Sequence, residues 1–271
     1  MYNKLFSNLG QRAIKTLGWP ITTKMWMAFV MHLPQIVRKR NLFPIDKAMS
    51  SLSEVSINGR FGNFTINPSV IDKMVVEGSS AFSSIRELYV KDCYLRYHHI
   101  SENQIKTVVD LGANRGMVSA MFTPVASKIV AIEAQEIYNP VIHEVLAVQN
   151  KFTNFQIGNY FVGKNEFCLH SDNKVSFAFI QEHFQLETID FLKMDIEGSE
   201  FDIIDELPFG IIKYISMEVH RDCGDPAIIG KTLTDNNFGY IMTDSTFRKT
   251  HAFTEVDYIY AWNKALVNTN K

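Results

Sequence analysis

Four carboxylates and an imidazole fall in two short stretches of the sequence. Asp195, Glu197 and Glu200 lie in Phe191-Leu192-Lys193-Met194-Asp195-Ile196-Glu197-Gly198-Ser199-Glu200, and Glu218 and His220 in Met217-Glu218-Val219-His220. Carboxylates and an imidazole in this arrangement can align a nucleophile and remove its proton. Each stretch is an apolar run that stops at charge, as a buried strand does on reaching the end of a sheet. Alternation puts Glu218 and His220 on one strand face and Val219 on the other. His220, with an ordinary pKa near ~6.5, is read as a base, and Asp195 as a group that orients the reacting partner. With Glu218 they form the candidate catalytic set. Glu197 and Glu200 also suit a helix start, where acids oppose the macrodipole and accept from unpaired N–H groups. Asp195, Glu218 and His220 together offer oxygen and nitrogen atoms to a divalent cation, but their spacing does not demand one and no metal is assigned.

A matching run, Val108-Val109-Asp110-Leu111-Gly112-Ala113-Asn114-Arg115-Gly116, ends in the same way, with Asp110 85 positions before Asp195. In open parallel sheets such strand ends hold the ligand. Gly112 allows a tight turn or a close backbone approach, and the helix that follows begins with free N–H groups. Glu133 closes the next strand 23 positions after Asp110, a spacing that suits a carboxylate accepting the hydroxyls of an adenosine ribose. Two cofactor classes fit, a dinucleotide and S-adenosylmethionine. A dinucleotide needs Gly-x-Gly-x-x-Gly to seat its pyrophosphate on the helix start. The second and third glycines are missing here, and Asp110 opposes a phosphate, whereas a sulfonium and an amino group are attracted to it.

The Asp-Leu-Gly-Ala-Asn-Arg-Gly turn, the Ala131-Ile132-Glu133-Ala134 strand end and the Asp-Ile-Glu-Gly-Ser-Glu block resemble the FkbM-type methyltransferases. The resemblance runs over roughly residues 85–262 and takes in Arg86-Glu87-Leu88-Tyr89. It implies a seven-stranded, Rossmann-like, mostly parallel α/β sheet with helices on both faces. It also implies O-methylation, often of a sugar or polyketide hydroxyl, with S-adenosylmethionine as cofactor. By the same match Asp110, Gly112, Asn114 and Glu133 become cofactor contacts, with Gly116, Asp195 and Glu87 grouped beside them. One departure stands out: Leu186-Glu187-Thr188-Ile189-Asp190 runs straight into the strand at Phe191, where the family has an intervening linker.

The elements needed to position these residues can be read in outline. Short helices are expected over 2–17 and 22–40, parted by Gly18-Trp19-Pro20, and a hairpin around Asn58-Gly59 and Gly62-Asn63. A helical segment is expected in Ser80–Tyr97. Strands then alternate with helices: strands at 107–111, 128–133, 152–157, 191–196 and 214–219, helices at 116–122, 141–149, 200–207 and 227–236. A hairpin arm is expected at 161–170, and an antiparallel pair at 240–243 and 258–262 closes the sheet. The expected organisation is a basic helical leader over 1–50, a hairpin and helix entry segment over 51–100, and a catalytic domain over 101–271.

Charge is uneven along the 271 residues. Residues 1–50 carry eight Lys and Arg against Asp46 alone, or +7, which leaves -9 for the rest of a chain whose net charge is -2. The acidic remainder argues against nucleic-acid binding. A basic leader with Trp19, Trp26, Phe29 and Arg38-Lys39-Arg40 can seat on an anionic membrane surface, or pack as helices on the catalytic domain or on a second subunit. The apolar stretch Met25–Leu33 spans nine residues, against about 20 for a bilayer crossing, and no secretion signal is read. Cys93, Cys168 and Cys223, three and scattered, fit a reducing, cytoplasmic compartment. The other histidines form no pattern. The leading expectation is an O-methyltransferase acting on a small-molecule or glycan hydroxyl. The rivals are a nucleotide-dependent oxidoreductase and a catalytically silent interaction domain of this fold.

Overall fold

The structure, a computed structural model, describes residues 2–75, 79–163 and 173–267. The chain forms two compact units. One comprises Met1–Cys93, Arg115–Pro124 and Pro140–Thr153, the other Tyr94–Asn114, Val125–Asn139 and Asn154–Lys271.

The first unit opens with α1 (Tyr2–Lys39), interrupted at Gly18, whose φ of 72° and ψ of 168° leave the helical region. Glycine takes this left-handed φ without a Cβ penalty, and Pro20 just beyond it has the fixed φ of a helix start. The two helices expected from the sequence are therefore present, end to end. Next come α2 (Phe43–Met49), the hairpin strands β1 (Val55–Gly59) and β2 (Gly62–Ile66), α3 (Pro68–Met74) and α4 (Ala81–Ser84). Helix α4 runs on into a π-helical stretch, Ile85–Val90. Gly59 pairs with Gly62, so the hairpin turn is Arg60-Phe61, between the Asn58-Gly59 and Gly62-Asn63 steps that signalled it. A Cβ on Gly59, on the last rung, meets the Phe64 ring at 2.7 Å. Short helices α5 (Met117–Ala120) and α6 (Asn139–His143), the latter extended by π-helical Glu144–Gln149, complete this unit. Its buried Asp46 receives Arg86 through two bonds, Nε to Oδ1 at 3.1 Å and Nη2 to Oδ2 at 2.9 Å.

The second unit is built on one sheet. Its strands are β3 (Thr107–Leu111), β4 (Lys128–Ile132), β5 (Phe155–Gly158), β8 (Ile189–Met194), β9 (Ile212–Glu218), β10 (Phe238–Thr243), the two-residue β11 (Lys249–Thr250) and β12 (Tyr258–Asn263). A separate two-residue pair, β6 (Phe161–Val162) and β7 (Lys174–Val175), runs parallel. The rest of the expected arm, with Cys168 and His170, lies outside the described residues.

The sheet order is β11-β10-β12-β9-β8-β3-β4-β5. From β5 to β9 neighbours are parallel, and β12, β10 and β11 add antiparallel pairs. Seven strands and a short edge strand thus make the expected Rossmann-like, mostly parallel sheet. The chain winds outward from β3 through β4 to β5 and then returns to β8 on the other side of β3. In open α/β sheets such a reversal marks the ligand site, here beyond the carboxyl ends of β3 and β8. Helices α7 (Phe177–His183), α8 (Glu200–Ile203) and α9 (Pro226–Asp235) cover one face. There Leu111, Ile132, Met194, Met217 and Ile259 join Ile180, Ile203 and Leu233 in one apolar core.

The segment 186–190, which departs from the family pattern, is partly strand: Ile189 and Asp190 begin β8. Asp190 Oδ2 accepts from the N–H of Lys106 at 2.7 Å and of Thr107 at 2.9 Å, which ties the start of β3 to β8.

Candidate functional site

Register places the polar residues in rows across the sheet face opposite that core. Asp110 pairs with Ala131 on one side and Lys193 on the other, Lys193 with Ser216, and Ser216 with Tyr260. Two residues further along each parallel strand come Glu133, Gly112, Asp195 and Glu218, with Tyr258 paired to Glu218. Strict alternation thus collects four acids at neighbouring strand ends.

Gly112 and Asn114 turn the chain beyond β3 with φ of 73° and 49°. A Cβ on Gly112 falls 1.8 Å from the carbonyl oxygen of Asp195, so this position accepts glycine alone. The N–H of Asn114 donates to Glu133 Oε2 at 2.8 Å, and that of Gln135 to Oε1 at 2.9 Å. Burial raises the Glu133 pKa, and the two amides offset this only in part. Each carboxylate oxygen retains a lone pair for another donor such as a ribose hydroxyl.

Lys193 is the residue that sequence reasoning missed. Its side chain is 2% exposed, and its ammonium lies 3.4 Å from Asp110 Oδ1 and 3.6 Å from Asp195 Oδ2. It donates to the carbonyls of Leu111 at 3.1 Å and Gly112 at 2.5 Å. Burial opposes the charge, but Asp195 and Asp110 outweigh it and hold the Lys193 pKa above its ordinary value.

The three residues of the candidate catalytic set stand together. Tyr94 donates its hydroxyl to Asp195 Oδ2 at 2.9 Å and lies 3.4 Å from Glu218 Oε2. Burial and then the Asp195 charge push the Glu218 pKa up to about 7, against the lowering effects of His220 and the Tyr258 hydrogen bond. His220 Nδ1 sits 3.0 Å from Oε1 of the fully buried Glu200, and its Nε2 lies 3.3 Å from Glu197 and 3.9 Å from Asp195. The hydrogen bond to Glu200, reinforced by these charges against burial, raises the His220 pKa to about 9. At neutral pH, therefore, His220 holds its proton and Glu218 lies close to its midpoint. Glu200 also accepts from the N–H of Ile196 at 2.9 Å, which closes the turn after β8. Asp195, Glu197 and His220 bring one ligand atom each within 4.8 Å of one another. Their ion pairs with the protonated ring account for this grouping.

Two expected contacts belong to the first unit. Gly116, with φ of 71°, caps the start of α5, where a Cβ meets Ile142 at 3.3 Å. Glu87 pairs with Lys91 at 2.9 Å on the π-helical stretch.

Asp110, Glu133 and Asp195 stand at the strand ends beside the Gly112 turn, and the Lys193 ammonium is committed to Asp110 and Asp195. These acids suit the sulfonium and amino groups of S-adenosylmethionine and oppose a pyrophosphate. None of the curated proteins compared matches the chain. Among solved structures, an FkbM methyltransferase from Methylobacillus flagellatus KT is 14% identical with a TM-score of 0.46, covering 72% of this chain and 58% of its own. The present chain thus spans less than two thirds of that protein. A precorrin-6y C5,15-methyltransferase from Geobacter metallireducens GS-15 is 18% identical with a TM-score of 0.42, covering 64% and 88%. An rRNA methylase from Streptococcus thermophilus is 11% identical with a TM-score of 0.42, covering 64% and 90%. All three scores are low, and the fold assignment rests on the strand order given above. Residues 144–242, which include β8, the Asp195 block, β9 and His220, match the family described as Methyltransferase FkbM domain.

Proposed function

We propose that the protein methylates a hydroxyl oxygen of a saccharide or related secondary metabolite. The observation that carries this reading is Glu218, a half-buried carboxyl with a pKa of about 7 linked to Asp195 through Tyr94. A hydroxyl acceptor must lose its proton as its oxygen gains the methyl group, and a base titrating near the working pH is suited to take it. Bound S-adenosylmethionine supplies the electrophilic methyl group on its sulfonium. Glu133 would accept from the ribose hydroxyls, and Asp110 with Asp195 would face the cationic methionine end. Tyr94 keeps Asp195 aimed by donating to it, and Glu218 receives the hydroxyl proton. The His220–Glu200 pair fixes the turn beyond β8 and balances Glu197 and Asp195. The test is methyl transfer from labelled S-adenosylmethionine to a panel of free and nucleotide-linked sugars, with products resolved by mass spectrometry. An O-methyl ether that disappears with Glu218→Gln supports the reading, and methylation only of nitrogen or of RNA overturns it.

We further propose that α1 lays this enzyme against an anionic membrane surface. Trp26, Val30, Leu33 and Val37 follow helical spacing on one stripe, with Met27 and Met31 beside it. Trp19, Met27, Val30, Met31 and Val37 are between 59% and 73% exposed. Lys24 and Arg38-Lys39-Arg40 flank the stripe, and no acid precedes Asp46. Such a helix lies in the interface rather than through it, and no helix among the described residues is long and apolar enough to cross a membrane. Flotation with phosphatidylglycerol vesicles but not phosphatidylcholine vesicles, lost when Trp26, Val30 and Met31 become Ser, is the expected result. Equal flotation of the triple variant, or a wild-type dimer that the substitutions dissociate, refutes it.

A further inference from the structure

We propose that Lys193 is the positioning residue of the cofactor crevice, clamping the Gly112 turn and limiting the negative charge that the cationic cofactor meets. This rests on the assignment of the crevice to S-adenosylmethionine. Lysines in strands usually reach solvent, yet this ammonium is buried between Asp110 and Asp195 and bonded to the carbonyls of Leu111 and Gly112. It also stands 5.6 Å over the Tyr94 ring, the ring whose hydroxyl holds Asp195. One side chain therefore joins the ends of β3 and β8 and both acids between which the cofactor's cationic end would lie.

The charge has a chemical consequence. In methyl transfer the S–CH3 bond breaks as the O–CH3 bond forms, the acceptor proton passes to Glu218, and the sulfonium becomes the neutral thioether of S-adenosylhomocysteine. Positive charge leaves the crevice. Every uncompensated carboxylate there binds the sulfonium ground state more tightly than the transition state and slows transfer. Lys193 offsets one of them.

The charged groups that bear on it are Asp110 from β3, Glu133 beyond β4, Asp195 beyond β8 and Glu218 from β9, with His220 on the far side of Asp195. Without the ammonium, the crevice carries one more uncompensated negative charge at high pH, and Glu133 or Glu218, whose pKa values burial already raises, takes up a proton as pH falls.

The experiment measures Kd for S-adenosylmethionine and S-adenosylhomocysteine, and KM and kcat, for wild type, Lys193→Met and Lys193→Gln at pH 6 and 8.5. Gln keeps a donor for the Gly112 carbonyl without the charge, and thermal unfolding reports whether each variant is folded. At pH 8.5 the variants should favour S-adenosylmethionine over S-adenosylhomocysteine by about fivefold or more relative to wild type. That preference should shrink at pH 6, and kcat should fall without a matching rise in KM. An equal loss of both ligands at both pH values assigns Lys193 a purely structural part and overturns the proposal. So does an unchanged ratio in a folded Lys193→Gln protein, or unfolding of both variants. Wild type that binds neither ligand refutes the crevice assignment itself.

Discussion

Replacing Glu218 separates two possible bases by pH. With a pKa of about 7, Glu218 is ionised in about 9% of molecules at pH 6, half at pH 7 and about 91% at pH 8. His220, at about 9, is neutral in only about 1% of molecules at pH 7. If Glu218 takes the proton, kcat/KM for the acceptor at saturating S-adenosylmethionine rises about tenfold between pH 6 and 8 and then levels. If His220 takes it, the rate keeps rising to pH 9. Glu218→Gln should abolish the limb near pH 7 and lower kcat by about 10²–10⁴-fold. His220→Gln should retain a limb and move it upward, because the imidazolium is one of the charges that lower the Glu218 pKa. The assay is initial-rate methyl transfer across buffers of constant ionic strength. A limb near pH 9 that vanishes with His220→Gln and survives Glu218→Gln would refute the assignment.

Three further outcomes follow from the same geometry. The folded protein holds the His220 proton more tightly than an unfolded chain, whose His titrates near 6.5. Its contribution to stability is therefore present below pH 6.5 and is lost as pH rises through about 9, by up to ~3 kcal/mol. Urea unfolding at pH 6 and 9 should show this slope in wild type and not in His220→Gln. Gly112→Ala combines a left-handed φ with a Cβ 1.8 Å from the Asp195 carbonyl. It should destabilise by about 2–5 kcal/mol, and an unchanged Tm would contradict the close approach of the two strand ends. Glu133→Gln removes a charged acceptor and should weaken S-adenosylmethionine by about 10–150-fold, read by calorimetry; equal affinity would remove Glu133 from the cofactor contacts.

Strand ends were the most legible part of the sequence. Asp110 and Asp195 each interrupt an apolar run beside a glycine turn, and β3 has the bounds that the pattern predicts, Thr107–Leu111. The break of α1 at Gly18 was legible for the same reason, because glycine and proline constrain the backbone locally. What stayed hidden depended on contacts distant in sequence. Lys193 sits inside an apolar run, and only its register against Asp110 shows that its charge is buried and paired. The bond from Glu200, 20 residues earlier, to the His220 ring left no sign in the sequence. The hairpin, by contrast, was legible, its Arg60-Phe61 turn falling between Asn58-Gly59 and Gly62-Asn63. The π-helical stretches at Ile85–Val90 and Glu144–Gln149 follow apolar spacing that does not distinguish them from α-helix.

The most direct test of the central claim is a calorimetric titration of the purified protein with S-adenosylmethionine, S-adenosylhomocysteine and NAD, with Glu133→Gln alongside. Saturable binding of the first two, weakened in the variant, with no binding of NAD, is the predicted result. Binding of NAD alone, or of none of the three, would contradict a crevice built by Asp110, Gly112, Glu133 and Asp195 for a sulfonium cofactor.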